Sequence, residues 1–298
     1  MASWRSRLRL RRRRPAGPGG PPDFIGVGAQ SCGAPWWHGL IAEHPRILRP
    51  IDGREGAGFF DEFSQREMTD ADIARYHARF VRPEGCLAGE WGSRYLADAW
   101  TPPLIARAAP EARLLVILRD PIERYLAALR QRTREVASPD DPVLMTDMIN
   151  RGRYATQLRA LRAFVDPERI LVLQYERCRA HVLGEYRRTI RFLGLPDDGF
   201  VPRRLRRAAR GETGPRGYVR ALRAAGLPEH VNRRWLRNAP LRLLRGQRVE
   251  VPTELWPELE ASLHAVLDPE IAALRDLVPE LDLSLWPHFA HLREGVKA

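Results

Sequence analysis

Two short segments of the 298-residue sequence hold the residue types that bind a phosphate-like anion. In the first, a largely apolar run over 23–27 leads into a loop bounded by Gly28 and Gly33, and a helix is predicted to follow from Pro35. In such a strand–loop–helix unit, free backbone N–H groups and the positive end of the helix dipole face the ligand. Many plain strand-to-helix turns share this pattern, so the segment alone leaves an anion site and an ordinary turn both open.

The residues after Gly33 disfavour one large class of nucleotide enzyme. A P-loop that hydrolyses ATP or GTP needs Gly-Lys-Ser/Thr at the start of its helix, because the lysine contacts the phosphates and the hydroxyl holds Mg²⁺. Here Ala34 and Pro35 follow the glycine, so neither group is present. The sequence therefore disfavours a kinase or a nucleotide hydrolase and predicts no metal ion at this loop.

The second segment places an arginine at the end of a core strand. Residues 113–118 form a continuous apolar run after Arg113, which is typical of a parallel strand buried on both faces, and Arg119 follows it directly. Ligands of parallel α/β sheets bind at the carboxyl ends of the strands. We therefore expect Arg119 to face the same crevice as the loop, the alternative being an ion pair with Asp120 or Glu123.

The rest of the chain supplies the elements that must hold these two segments. Apolar runs predict strands at 23–27, 87–89, 113–118 and 170–173. Helical periodicity and helix-start signals predict helices at 35–43, 70–80, 103–109, 121–134, 143–164, from the last strand to 193, and at 255–277. Strands that alternate with helices predict an α/β fold, a three-layer domain with a central parallel sheet flanked by helices.

Length and composition indicate the class of protein and its domain organisation. An apolar content of 44% supports a full-sized core, and no apolar run reaches the ~18 residues of a membrane span. The three cysteines fit neither a zinc-site spacing nor a disulfide framework, and no secretory signal is recognisable, so we expect a cytoplasmic protein. Residues 1–22 are predicted to be a disordered basic tail ending in a Pro/Gly linker, and 23–298 a single domain with a basic helical insertion at 203–250.

The net charge of +12 is concentrated in two places. Residues 1–14 hold seven arginines and no acid, and residues 203–248 hold fourteen arginines with two acids, so the remainder of the chain is net acidic. Such a patch is compatible with a nucleic-acid surface, a solvated helical face, or a groove that attracts an anionic substrate. The basic segment contains only two aromatic residues, Tyr218 and Trp235, and no nucleic-acid motif, which disfavours the first interpretation.

Together, the two anion-binding segments resemble the sulfotransferases that use 3′-phosphoadenosine-5′-phosphosulfate. Residues 23–33 look like the 5′-phosphosulfate loop of that family, and 118–124 look like its 3′-phosphate motif. The resemblance extends in order along the chain through His44-Pro45, Phe59-Phe60-Asp61, Gly89-Glu90-Trp91, Arg153-Tyr154, Ile170 to Glu176 and Phe192 to Pro196. It is closest to bacterial enzymes of the carbohydrate- or heparan-sulfotransferase type.

The resemblance implies a P-loop-like fold and a reaction. A sulfuryl group would pass from the nucleotide to a hydroxyl or amine of a carbohydrate or small-molecule acceptor, without a metal ion. A base would take the acceptor's proton, and donors would stabilise the leaving phosphate oxygen. The positions that match the family's nucleotide-binding residues are Gln30, Ser31, Cys32, Gly33, Ala34, Arg119 and Ala127.

Several of these positions depart from the family's pattern. The family usually has Lys or Arg where this chain has Ser31, and Thr or Ser where it has Ala34 and Pro35. A serine usually stands at the position of Ala127. Each lost charge-assisted hydrogen bond is worth about 1.5–3 kcal/mol. Either neighbouring arginines compensate, or the chain is a catalytically degenerate sulfotransferase-fold protein that binds a partner.

The general base is also displaced from the family's pattern. Gly56 falls where the family has its catalytic glutamate, Glu55 is one residue away, and Trp91 stands in place of a lysine. We therefore predict three candidate bases: Glu55, Glu90 after the short strand predicted at 87–89, and His38 one turn into the first helix. The alternative for His38 is an ordinary helix-face histidine.

Overall fold

A computed structural model describes residues 17–53, 58–131, 142–209 and 256–293. The basic tail before residue 17, Glu55 and Gly56, and residues 210–250 of the predicted insertion lie outside these ranges. The short helix Arg203–Ala209 is the part of the predicted basic insertion that is described.

A five-stranded parallel sheet forms the centre of the fold, in the order β2-β3-β1-β4-β5. The strands are β1 Phe24–Gly28, β2 Ile47–Leu48, β3 Leu87–Trp91, β4 Arg113–Leu118 and β5 Ile170–Gln174. The α/β prediction is confirmed. The short edge strand β2 was not predicted, because two residues carry no periodicity.

The central position of β1 follows from its composition. All five of its residues are buried, and it pairs with β3 on one side and β4 on the other. Its glycines allow this close packing: a Cβ at Gly26 would lie 1.9 Å from Cδ2 of Trp91 on β3. The carboxyl ends of β1, β4 and β5 therefore lie side by side at one edge of the sheet.

Helices flank the sheet. They are α1 Ala34–Ile41, α2 Asp70–His77, α3 Thr101–Ala108, α4 Pro121–Gln131, α5 Pro142–Asn150, α6 Tyr154–Arg162, α7 Tyr175–Ala180, α8 Val182–Phe192, α9 Arg203–Ala209 and α10 Trp256–Leu277. Short 3₁₀ helices cover Phe59–Ser64, Pro167–Arg169, Leu283–Leu285 and Pro287–Leu292. Among the described residues, no helix combines the length and apolarity that crossing a bilayer requires.

Two long predicted helices are each broken in the structure. The helix predicted over 143–164 is interrupted at 151–153 and becomes α5 and α6; a Cβ at Gly152 would lie 3.2 Å from Leu267 of α10, so the break allows close packing. The helix predicted to end at 193 is interrupted at His181, whose φ of −125° and ψ of 48° are not helical. Apolar periodicity continues across both breaks, so it did not reveal them.

A buried carboxylate joins α10 to the start of α6. Glu270 accepts hydrogen bonds from the backbone N–H of Thr156 at 2.9 Å, from Thr156 Oγ1 at 2.6 Å and from Arg153 Nε at 3.2 Å. Thr156 lies in the first turn of α6, where backbone N–H groups have no partner within the helix. Glu270 therefore fixes the packing of these two helices.

We expect Glu270→Ala to lower the free energy of unfolding by about 2–3 kcal/mol, because it leaves two donors of Thr156 without an acceptor. Glu270→Gln keeps one acceptor oxygen and should cost less. Asp276→Ala, at an exposed position on the same helix, is the control and should change stability by less than about 0.5 kcal/mol. Urea denaturation measures all three, and equal losses for Glu270→Ala and Asp276→Ala would contradict this assignment.

Candidate functional site

The loop between β1 and α1 is compact and ends in a glycine that no other residue replaces easily. Gly33 has a φ of +85°, and a Cβ added to it would lie 2.6 Å from Cε2 of Tyr175. Its carbonyl accepts hydrogen bonds from the N–H groups of Trp36 and Trp37 at 3.0 and 3.1 Å. Within the described part of the chain no side chain caps the start of α1. The helix start is therefore able to receive an anion.

The individual loop residues differ in accessibility. Gln30 and Ser31 are half-buried, and Ser31 adopts a left-handed φ of +65°. Ala34 is buried at the first position of α1, while Pro35 is exposed and contributes no N–H. The loop thus offers backbone donors and one hydroxyl, but no side-chain cation of its own.

Cys32 connects the loop to the end of β4. Its Sγ lies 3.5 Å from Tyr154 Oη, and that hydroxyl donates to the carbonyl of Arg119 at 2.9 Å. Burial raises the pKa of the Cys32 thiol to about 11, against the opposing effects of the Tyr154 hydrogen bond and the charges of Arg124 and Arg119. Cys32 is therefore a neutral thiol that positions the loop, with two arginine charges close enough to act on it.

Arg119 lies at the carboxyl end of β4, as predicted. It also forms an ion pair with Glu123, one of the two partners that the alternative interpretation named. Its Nη2 donates to Glu123 Oε2 at 2.8 Å, and its guanidinium carbon lies 5.2 Å from the ring centroid of Tyr175. The Tyr175 ring is the same one that contacts Gly33. The loop and Arg119 are thus brought together through Tyr175, at the carboxyl ends of three neighbouring strands.

Asp120 does not pair with Arg119. Its Oδ1 accepts hydrogen bonds from the N–H groups of Ile122 and Glu123 at 2.9 and 3.1 Å, which caps α4. Its Oδ2 lies 3.0 Å from Nδ1 of His288 in the 3₁₀ helix Pro287–Leu292. The C-terminal part of the chain therefore holds the segment that carries Arg119.

A second, half-buried carboxylate strengthens this attachment. Glu176 accepts from the backbone N–H of Asp120 at 3.1 Å and from Trp286 Nε1 at 2.8 Å. Burial raises the pKa of Glu176, and these hydrogen bonds oppose that rise. The end of β4 is consequently fixed from α7 and from the C-terminal segment at the same time.

Arg124 is a basic residue of this region that the sequence did not single out. It is almost completely buried, and its Nη2 donates to the carbonyl of Met148. Its Nε and Nη1 have no hydrogen-bond partner among the residues that the structure describes. The available signal was its place five residues after Arg119, inside the segment that resembles the 3′-phosphate motif. Ala127, three residues further along α4, offers only a methyl group.

Glu90 lies at the predicted strand end but is fully enclosed. The hydroxyls of Tyr76 and Tyr95 donate to its Oε1 at 2.9 and 3.1 Å, and Arg79 Nη1 lies 3.2 Å from Oε2. Burial raises the pKa of this carboxyl. A general base must reach the acceptor, and Glu90 has no exposed surface. We therefore assign it to the support of the crevice and not to proton transfer.

His38 is buried in α1, and its ring centroid lies 6.1 Å from that of Trp91. Trp91 ends β3 and packs on Gly26, so these two side chains form a wall beside the loop. Of the three predicted bases, His38 lies on the helix that starts at the loop. Glu55 lies outside the described residues.

The sequence did not single out two further carboxyl groups whose pKa values are raised. Burial raises the pKa of both Asp61 and Asp98, and the charges of Arg94 and Arg151 oppose the rise. Asp98 Oδ2 lies 3.4 Å from Arg94 Nε, and Asp61 Oδ1 has no hydrogen-bond partner in the described ranges. Carboxyl groups with raised pKa values are candidate general bases. The signal for Asp61 was its place in Phe59-Phe60-Asp61.

Comparison with known proteins agrees with this geometry. Residues 59–199 match the profile of the sulfotransferase family. The match covers just under half of the chain. A sulfotransferase from Alicyclobacillus acidocaldarius superposes with a TM-score of 0.61 at 22% identity, covering 89% of this chain and 98% of the other. At that identity the likeness shows a sulfotransferase fold, with its P-loop-like arrangement.

Other solved sulfotransferases superpose less closely. The sulfotransferase domain from the curacin biosynthetic pathway gives a TM-score of 0.43 at 11% identity, covering 61% of this chain and 76% of that domain. The sulfotransferase domain of the Synechococcus PCC 7002 olefin synthase gives 0.41 at 15% identity, covering 80% of this chain and 99% of that one. A search of curated proteins gives no significant match.

The contact between His288 and Asp120 predicts a pH dependence of stability. The hydrogen bond to Asp120 raises the pKa of His288 above its usual value of 6.5, although burial opposes it. The resulting stabilisation is complete below that usual value and is lost as the pH rises through the raised pKa. We expect His288→Gln to lower the free energy of unfolding by about 1 kcal/mol more at low pH than at high pH.

Urea denaturation at about pH 6 and about pH 9 measures this difference. His181→Gln is the control, because His181 is exposed and far in sequence from Asp120. A loss for His288→Gln that is the same at both pH values would show that the ring packs without sharing its charge with Asp120.

Proposed function

We propose that this protein is a sulfotransferase that moves a sulfuryl group from 3′-phosphoadenosine-5′-phosphosulfate to a hydroxyl or amine of a carbohydrate or small-molecule acceptor. One observation carries the proposal. The uncapped start of α1 and Arg119 both contact Tyr175, at the carboxyl ends of adjacent strands. Residues 59–199 of the same chain match the sulfotransferase family profile, which supports the proposal.

The residues at this edge suit an anionic nucleotide. Backbone N–H groups of 30–34 would hold the 5′-phosphosulfate, since the helix start has no protein cap. Arg119 would hold the 3′-phosphate, for which it must exchange or share its contact with Glu123. The buried, incompletely hydrogen-bonded guanidinium of Arg124 adds positive charge beside the loop. No metal ion is needed in this scheme.

The reaction itself asks for three functions. The acceptor oxygen or nitrogen forms a bond to sulfur as the bond from sulfur to the phosphate oxygen breaks, and that oxygen keeps the electron pair. The acceptor proton passes to a base, for which we propose His38 or Asp61. Donors of the loop stabilise the charge on the leaving oxygen. Because Ser31 carries no charge and Arg119 is assigned to the 3′-phosphate, the electrostatic part of this last function falls to Arg124.

The alternative is a protein that keeps the fold and has lost the transfer reaction. Ser31, Ala34, Pro35 and Ala127 favour it, because each replaces a side chain that would bind the nucleotide in the sulfotransferases that the chain resembles. The two proposals differ in one measurable quantity, the affinity for the nucleotide. Calorimetric titration with the desulfated product, 3′-phosphoadenosine-5′-phosphate, separates them, and absence of binding contradicts the enzymatic proposal.

Arg119→Ala should weaken binding of that product by about 1.5–3 kcal/mol, or roughly 10- to 150-fold, because it removes a charge-assisted hydrogen bond to the 3′-phosphate. Glu123→Ala is the matched control: it removes the other half of the ion pair and leaves Arg119 free for the ligand. Its affinity should equal or exceed that of the unaltered protein. If both variants lose affinity equally, the ion pair supports the fold and Arg119 does not bind the nucleotide.

A restoration experiment tests whether the altered loop is compensated. The triple variant Ser31→Lys, Ala34→Thr, Pro35→Thr adds one cation, two hydroxyls and one backbone donor at the start of α1. If the loop is degenerate, nucleotide affinity should rise at least ~10²-fold, at about 1 kcal/mol or more for each contact. If the unaltered protein already binds at micromolar concentration and the variant binds no better, the nearby arginines compensate and the non-catalytic alternative is wrong.

A further inference from the structure

A cluster of two histidines and one aspartate lies outside the nucleotide crevice, between α10 and the 3₁₀ helix Pro287–Leu292. His264 Nδ1 lies 2.8 Å from Asp268 Oδ1, and His291 Nε2 lies 2.9 Å from Asp268 Oδ2. One ligand atom from each of the three residues falls within 4.8 Å of the other two. Among the described residues it is the one group of three or more such side chains that meets this condition. We infer that His264, Asp268 and His291 form a zinc site that fastens the C-terminal 3₁₀ helix to α10.

The positions of the three residues on their elements suit a shared ion. His264 and Asp268 are four residues apart on α10, so they lie one turn apart on the same face. His291 comes from a different element, 23 residues after Asp268 in sequence. A metal ion bound by all three would therefore add a link between two elements that already contact each other, since Arg275 Nη1 on α10 donates to the carbonyl of Leu292 at 3.0 Å.

The distances fit tetrahedral coordination after a small adjustment. Zinc binds histidine nitrogen and carboxylate oxygen at about 2.0–2.2 Å, which places neighbouring ligand atoms about 3.3 Å apart. The two hydrogen bonds of Asp268 use different carboxylate oxygens, at 2.8 and 2.9 Å, and the ligand atoms of the three residues lie within 4.8 Å of one another. Binding one ion would lengthen the shorter separations by about half an ångström and shorten the longer ones, which rotations of the side chains supply. Without the ion, the same atoms form two hydrogen bonds from the imidazoles to the carboxylate.

An aromatic ring limits the freedom of both imidazoles. The buried ring of Phe289 has its centroid 5.4 Å from that of His264 and 6.4 Å from that of His291, with the latter pair stacked at 27°. The two imidazole centroids are themselves 5.3 Å apart. The rings are therefore packed in the orientation that brings their nitrogens to Asp268, and binding would cost little further ordering.

The donor set and its exposure select the metal and its role. Two imidazole nitrogens and one carboxylate favour Zn²⁺ over Mg²⁺ or Ca²⁺, which prefer oxygen ligands. The side chain of His291 is 49% exposed, so the ion can enter from solvent and water can take the fourth position. The nucleotide crevice contains none of the three residues, so the site has a structural role and is independent of the proposed sulfuryl transfer. The spacing of the cysteines could not predict this site, because two of its three proposed ligands are histidines that lie far apart in the sequence.

The zinc site would affect the nucleotide crevice only by holding the 3₁₀ helix Pro287–Leu292 in place. His288, in the same 3₁₀ helix as His291, contacts Asp120, which caps α4 behind Arg119. Holding this helix against α10 therefore supports the segment that carries Arg119, without contributing a group to the reaction.

Titration of the full untagged chain with ZnCl₂, after removal of metal by a chelator, tests the inference. We expect one Zn²⁺ per chain with a dissociation constant below about 100 µM, a rise in the melting temperature on binding, and visible absorption of a tetrahedral complex with Co²⁺. His264→Gln and His291→Gln should each weaken binding at least about 10-fold, the loss that even supporting groups of metal sites cause. His181→Gln, an exposed histidine elsewhere, should bind as the unaltered protein does.

Three results would overturn the inference. They are a dissociation constant for Zn²⁺ above about 100 µM, an affinity of the His264→Gln and His291→Gln variants equal to that of the unaltered protein, or an affinity for Mg²⁺ equal to that for Zn²⁺. Each would show that the cluster is a pair of hydrogen bonds from histidines to a carboxylate. The exposed position of His291 makes its variant a safe test of binding, since few contacts are lost there. Circular dichroism of that variant confirms that the fold is retained.

Discussion

The ring of Tyr175 is the contact on which the arrangement of the candidate site depends. It touches Gly33 closely enough to exclude a side chain there, and the guanidinium of Arg119 lies 5.2 Å from its centroid. Trp36, in the first turn of α1, packs edge-on against the same ring at 6.1 Å. Tyr175 directly follows β5, so one side chain connects the ends of β1, β4 and β5. The loop takes its shape from this packing as well as from its own sequence.

Buried carboxylates impose a second constraint, since a charge removed from water must be paired or hydrogen-bonded. Buried Asp120 and Glu90, and half-buried Glu176, each accept hydrogen bonds or ion pairs from other elements. The donors to Asp120 and Glu176 include His288 and Trp286, close to the C-terminal end of the described chain. The segment 118–124 is therefore held in place by contacts from that distant part of the chain.

The sequence was sufficient for the elements whose signal is local. The apolar run of β4 gave its bounds, and the alternation of strands and helices gave the parallel sheet. The breaks at Gly152 and His181 were not predictable, because packing against α10 and the geometry of one residue interrupt a periodicity that continues. In the site, Arg119 was predicted from its place after a strand. Arg124, Asp61 and Asp98 were not, because their burial depends on contacts with residues far along the chain.

The charge balance at the loop between β1 and α1 links the fold to the proposed chemistry. A guanidinium buried as deeply as that of Arg124, with two donor nitrogens lacking a partner among the described residues, costs several kcal/mol unless an anion lies near it. The neutral thiol of Cys32 cannot supply that charge, because burial raises its pKa to about 11. Sulfotransferases that the chain resembles have a cation at the position of Ser31, and under the function proposed above the buried Arg124 supplies that charge from α4 instead. A fixed cation in a site sheltered from water interacts with a phosphate more strongly than an exposed lysine does. Under that proposal, the altered loop and the burial of Arg124 are parts of one arrangement for holding an anion.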